Sequence, residues 1–160
     1  MPNDSRRRRI LEATRELILR ILIANDYRTD LGANVQMGEA KTFGPDDPRQ
    51  VLVIRPRQAV VESQQLRVRY MSLAVDVAIV LAPDVEEPWA IVEDGLADIK
   101  EALELDAGIL IDLLTGGRDN ASGIRLVSEE SYERQSGSDV SGAVLSYLFH
   151  YRETFGAPTA

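Results

Sequence analysis

Residues 66–81 carry the pattern that most restricts what the chain can fold into. They form a run of sixteen without glycine or proline, apolar at every second position, but on a parity that changes partway. Leu66, Val68 and Tyr70 are even-numbered, opposite Arg67 and Arg69. From Met71 onward the large apolar residues are odd (Leu73, Val75, Val77, Ile79, Leu81), opposite Ser72, Ala74, Asp76 and Ala78. Strand side chains alternate with period two, so one half of the run buries one face and the other half buries the other, unless a bulge near Met71 resets the phase. At ~3.3 Å per residue the run spans about 53 Å, against a usual strand of ~5–6 residues. Residues 51–62, which Pro56 demotes to a sheet edge or a bulge at that point, supply a partner strand, with Ser63, Gln64 and Gln65 as the tip. We therefore expect a long β-hairpin over 51–82. Its outer half leaves the domain and turns Leu66, Val68 and Tyr70, joined by Ala59 and Val61, toward a second chain.

The flanking segments supply the cover for the inner half. Ile10, Leu11, Thr14, Leu17, Ile18, Ile21 and Leu22 recur at steps of three and four, which predicts a helix over 5–24 capped by Asn3, Asp4 or Ser5. A short irregular strand follows within 27–38, then a loop rich in Gly, Pro and Asp to residue 49. Pro88 opens a second helix over 87–105. Trp89, Val92, Leu96, Ile99 and Leu103 form its buried stripe, Gly95 marks a close backbone approach, and Glu93, Asp94, Asp98, Glu101 and Glu104 make a solvated face. Residues 109–114 are apolar and of ambiguous type. Strands are expected over 124–132 and 140–152, the latter central in the sheet, before a flexible tail over 153–160. The fold class is α+β in one domain, residues 1–160. One mostly antiparallel sheet carries both helices on the face of Leu73, Val75, Val77 and Ile79, with the hairpin projecting.

The chemistry on offer is sparse. The chain has no cysteine and one histidine, His150, which excludes disulfides, thiol catalysis and cysteine-containing metal sites. His150, on a core strand, is expected to be a hydrogen-bonded structural residue, and Gly116-Gly117-Arg118 lacks the Lys-Ser/Thr of a phosphate-binding loop. No catalytic, cofactor or metal site is expected. Charged residues interrupt every apolar run near the start, so neither a secretion signal nor a membrane span is expected, and the chain is expected to be cytosolic when made.

The charges, by contrast, are patterned. The formal net charge of −8 argues against general affinity for nucleic acid phosphates. Residues 1–28 hold seven arginines against four carboxylates, whereas residues 83–106 hold nine carboxylates against Lys100. Such segregation offers complementary edges to neighbouring subunits and favours an assembly protein over an enzyme. The candidate contact residues are Arg6, Arg7, Arg8 and Arg9, which sit where a helix dipole is already positive, Arg55, Arg57, Leu66, Arg67, Val68, Arg69 and Tyr70 of the hairpin, and Glu93, Asp94 and Glu101 of the second helix.

In its order of helix, short strand, long hairpin, helix, loop and strands, the chain resembles the tail terminator, or tail completion, proteins of long-tailed bacteriophages. The resemblance runs from about Arg7 to Phe155. Its best stretch is Ala24-Asn25-Asp26-Tyr27-Arg28-Thr29-Asp30-Leu31-Gly32, continuing to Val35 and Gly38, and a second is Asp98-Ile99-Lys100-Glu101-Ala102-Leu103. Members often have Gly before the Tyr, where this chain has Asp26. The resemblance implies a homo-oligomeric ring, commonly of six subunits, that caps the tail tube and presents the surface to which the filled head joins. The implied partners are further copies of the chain, the tail tube protein and a head-closure or neck protein; the implied location is the virion, after assembly in the host cytoplasm. No cofactor and no specific nucleic-acid binding are implied. DNA passes through the lumen, which we expect acidic residues rather than arginines to line, so that phosphates are not trapped. The alternatives are a head-closure or neck protein and, further off, a small enzyme. Arg9-Ile10-Leu11-Glu12-Ala13 also resembles the first helix of a TetR-type repressor, but no helix-turn-helix follows it.

Overall fold

The hairpin forms one long ladder in a computed structural model, which describes residues 5–38, 43–105, 107, 108, 110, 114, 123–132 and 141–154. Strands β2 (Gln50–Gln65) and β3 (Val68–Leu81) pair antiparallel from Gln50 opposite Leu81 to Gln65 opposite Val68. The 16 residues of β2 match 14 of β3 because β2 is bulged twice, between Pro56 and Ala59 and between Val61 and Ser63. The first bulge falls beside a proline that has no N–H for the ladder.

These bulges correct three expectations. The tip is the two-residue turn Leu66-Arg67, with Leu66 at φ 45°, rather than Ser63 to Gln65, which remain in the strand and pair with residues 68–70. Leu66 and Arg67 therefore do not lie on the return strand. The bulges also reset the phase of β2: Ala59 opposes Leu73 and Val61 opposes Met71 on the helix-facing side, and Val60, opposite Ser72, is the residue that shares the other face with Val68 and Tyr70. Polar side chains at 63–65 gave no hint of this, since backbone pairing is indifferent to them.

β3 itself is unbroken. It pairs without a register shift with β5 (Ser141–Thr154), from Val68 opposite Thr154 to Leu81 opposite Ser141. The parity change is thus a change of burial along one flat register. The outer half is a three-stranded sheet rather than the expected isolated ribbon, because β5 accompanies it to the end. Glu153 and Thr154, expected in a flexible tail, are paired in β5, and residues 155–160 lie outside the described residues. β1 (Val35–Met37) adds to β2 in parallel and β4 (Ile124–Tyr132) to β5 antiparallel, giving the order β1-β2-β3-β5-β4.

Both helices cover one face of this sheet. α1 (Arg6–Leu19) is capped by the Ser5 hydroxyl, which accepts the Arg8 N–H at 3.1 Å, and it ends short of residue 24 where the chain turns into a 3₁₀ turn at Ile23–Asn25. α2 (Pro88–Lys100) continues as a π-helical turn over Glu101–Leu105. Ile10, Leu17 and Ile18 of α1, Leu96 and Ile99 of α2, the odd-numbered side chains of β3, and Leu145, Tyr147 and Phe149 of β5 form one core, which Leu110 and Leu114 also enter. Gly95 permits that packing: a Cβ there would lie 2.6 Å from Leu31 Cδ1 and 2.7 Å from Ile79 Cδ1. Trp89, expected in the buried stripe, is instead 67% exposed at the start of α2. On the opposite face, among the described residues, Val51, Val53 and Val80, with Phe43 and Ala78 against them, form a small second cluster.

Candidate functional site

The sheet separates the expected contact residues into two ends. At the hairpin end stand the tip, Val68, Arg69 and Tyr70, beside Arg152 and Glu153 of β5. The first turn of α1 belongs to this end: the Arg7 guanidinium donates to the Arg57 carbonyl at 3.2 Å. Arg6 is pushed below its ordinary pKa, first by partial burial and then by the charges of Arg9 and Arg152. Arg8 pairs with Glu12 at 3.0 Å, an exposed i,i+4 contact of small energetic weight. Arg57 reaches Asp76 at 3.4 Å, whose carboxylate also accepts the Ser146 hydroxyl at 2.8 Å, on the face without helices. Arg69 donates to Gln64 across the neck of the tip at 3.4 Å. Tyr70 and Leu66 are exposed, and His150, expected in the core, points outward and is exposed as well.

At the other end, β3 gives way to Asp84, Glu86 and Glu87, and the chain enters α2. Here a groove of about 390 Å³ opens between the start of α2 and the β4 and β5 strand ends. Its α2 side is Val85, Pro88, Trp89, Val92 and Glu93; its sheet side is Tyr132, Ser141 and their neighbours. Tyr132 donates to the Ile79 carbonyl at 3.4 Å, and burial raises its pKa. Ser141 is buried at the groove, and among the described residues its hydroxyl has no hydrogen-bond partner. Glu93 and Asp94 are exposed beside it, as expected for a solvated helix face.

Asp98 is not on that face. It is fully buried, which corrects its assignment to the solvated side of the helix. Its Oδ2 accepts the Thr29 N–H at 2.9 Å and the Thr29 hydroxyl at 2.8 Å, and its Oδ1 accepts the Arg28 guanidinium at 3.0 Å; the Arg28 N–H, at 3.1 Å from both oxygens, is shared between them. Glu101 accepts from the same guanidinium at 3.2 Å, and these two carboxylates hold the Arg28 pKa above its ordinary value. Glu101, expected as a contact for a partner, is thus engaged within the chain. Glu104 accepts the buried Tyr147 hydroxyl at 3.2 Å, and Lys100 pairs with Glu129 of β4 at 2.7 Å. The two stretches that carry the phage resemblance, 24–38 and 98–103, therefore meet, with Asp98 as the joint. A signal for this was present: Asp98 is three residues after Gly95 and four before Ala102, both buried.

Among the described residues no three His, Asp or Glu side chains converge as a metal ion would need, and no helix is long and apolar enough to cross a membrane. Gly116-Gly117-Arg118 lies outside the described residues. The chain matches no protein-family model and no curated protein sequence.

Proposed function

We propose that the chain is a structural virion protein, a tail terminator whose copies form a ring, commonly of six, that caps the tail tube and joins it to the head or neck. The observation that carries this reading is the separation of two surfaces along one long sheet, with arginines and exposed apolar side chains at the hairpin end and carboxylates around an apolar groove at the other. A subunit with unlike ends associates end to end, and a rotation that closes makes a ring. The order of elements and the joining of residues 24–38 to 98–103 add support. The implied partners are further copies, the tail tube and a head-closure or neck protein, with an acid-lined lumen for DNA.

Deleting the gene tests the reading. The expected particles have tails of uncontrolled length or tails not attached to heads, and electron microscopy of the wild-type virion should place the ring at the head-proximal end of the tube. Tails of normal length lying beside leaking filled heads would transfer the chain to head closure. Normal virions without the gene would refute a structural role.

A further inference from the structure

We infer that the hairpin tip of one copy docks in the groove beside Trp89 of the next, so that Leu66 fills the apolar channel and Arg67 meets Glu93. The inference rests on the ring reading above and names the two surfaces that would build it. Leu66 is 96% exposed, an apolar side chain in a two-residue turn at a positive φ, where Gly, Asn or Asp is the usual occupant. Among the described residues nothing covers this leucine, and a pocket on another copy would. Arg67 is next to it in the turn, and Arg69 follows at the start of β3.

The groove has the complementary chemistry. Val85, Pro88 and Val92 give it apolar walls, Trp89 offers an exposed ring face for a guanidinium, and Glu93 stands in the lining with Glu86 and Glu87 just ahead of the helix. Its volume of about 390 Å³ is well above the roughly 150 Å³ that admits a benzene ring, so a leucine side chain with an arginine beside it fits. The acidic surroundings disfavour an anionic ligand and favour a basic one, which the tip provides.

Position decides the kind of assembly. The tip adjoins Val68 and the groove contains Ser141, which opposes Leu81, so the two surfaces lie at opposite ends of β3. They cannot meet within one subunit. A contact between unlike surfaces is heterologous and propagates from copy to copy, closing into a ring or running on as a filament.

Sedimentation velocity over a concentration series at low salt, with the intact chain, tests the contact. The wild type should self-associate, and Leu66→Asp and Glu93→Arg should each weaken association at least tenfold without moving the thermal transition, since both side chains are exposed. Should Leu66→Asp disturb the melt, Leu66→Ser takes its place. Arg67→Glu should weaken association likewise, and an equimolar mixture of R67E and E93R chains should recover it, because every contact in an alternating array then pairs opposite charges. Assembly that ignores the tip variants would overturn the contact and leave the ring reading standing. Loss with the groove variants alone would assign the groove to another occupant and equally overturn it. A wild type that stays monomeric at every concentration, both alone and with tail tubes, would overturn the contact and the ring together.

Discussion

Asp98 takes its protein donors from residues 28 and 29, and a carboxylate sealed from water is tolerated only because those donors, one of them a cation, replace its hydration. Truncation to alanine strands the Thr29 N–H and hydroxyl, each of which costs about 1–3 kcal/mol if left unpaired. Asp98→Ala should therefore lose about 3 kcal/mol in urea unfolding, with Thr29→Val losing about 1 kcal/mol; a near-neutral Asp98→Ala would mean that the segment 27–34 is held by its apolar contacts alone. A second residue speaks to pH. Burial first, then the charge of Glu104, raises the Tyr147 hydroxyl above its ordinary 10.0, and burial raises Tyr132 and Tyr151 too. The folded state thus holds these protons more tightly than the unfolded chain. Their contribution to stability is complete below pH 10 and declines as pH rises beyond it, because only unfolding lets the phenols ionise. Urea midpoints measured from pH 8 to 11 should be level and then fall, and Tyr147→Phe should flatten the fall while losing about 1 kcal/mol at neutral pH. Neither group could be assigned its partners from sequence. A helical stripe locates Asp98 on a flank, but the donors come from a loop seventy positions away.

Close backbone approach is the theme at the level of elements. In α2 the methyl ends of Leu31 and Ile79 crowd Gly95, and such ends can rotate away; the intrinsic helix gain of about 1 kcal/mol from Gly95→Ala offsets part of the overpacking cost of about 1–3 kcal/mol. Gly32 differs in kind. A Cβ there would sit 2.6 Å from the Ile18 carbonyl oxygen and 2.8 Å from those of Leu19 and Ile21, so the end of α1 would have to move. Thermal unfolding should show Gly95→Ala within about 1 kcal/mol of wild type and Gly32→Ala losing more than about 2 kcal/mol. The outer sheet gives another expectation: Val68→Ser with Tyr70→Ser should weaken assembly while the monomer loses under about 2 kcal/mol, since both side chains lie outside the core. A double variant whose monomer unfolds would place them in the subunit's own core. Gly95 and the parity change of β3 were legible because each is local. The bulge beside Pro56 was legible too, since a proline has no N–H for the ladder; the second, between Val61 and Ser63, was not, for it is a property of how two strands of unequal length accommodate one another.

For the molecule as a whole, the unlike ends make a salt prediction. Attraction between exposed charges fades as the Debye length falls from about 10 Å at 0.1 M salt to about 3 Å at 1 M. Self-association measured by light scattering should therefore weaken as salt is raised; association that strengthens would shift the weight to the apolar face bearing Val60, Val68 and Tyr70. The α+β class, the shared face of the helices and the interior place of the last strand were all readable from alternation and length. The parallel addition of β1 was not, because three residues carry too little pattern, and the groove was not, because three separate segments build it.

The interior place of β5 also sets a clock. β3 and β4 are both made before the strand that lies between them, and Leu145, Tyr147 and Phe149 arrive with it. Until residues 141–154 leave the ribosome, β3 has only β2 beside it and the helices have half a floor to settle on. The pairings that complete the sheet are long-range and hence slow to form. The nascent chain waits with an open strand edge and an unfinished core, then folds as a unit, so completion of the sheet follows the emergence of residues 141–154.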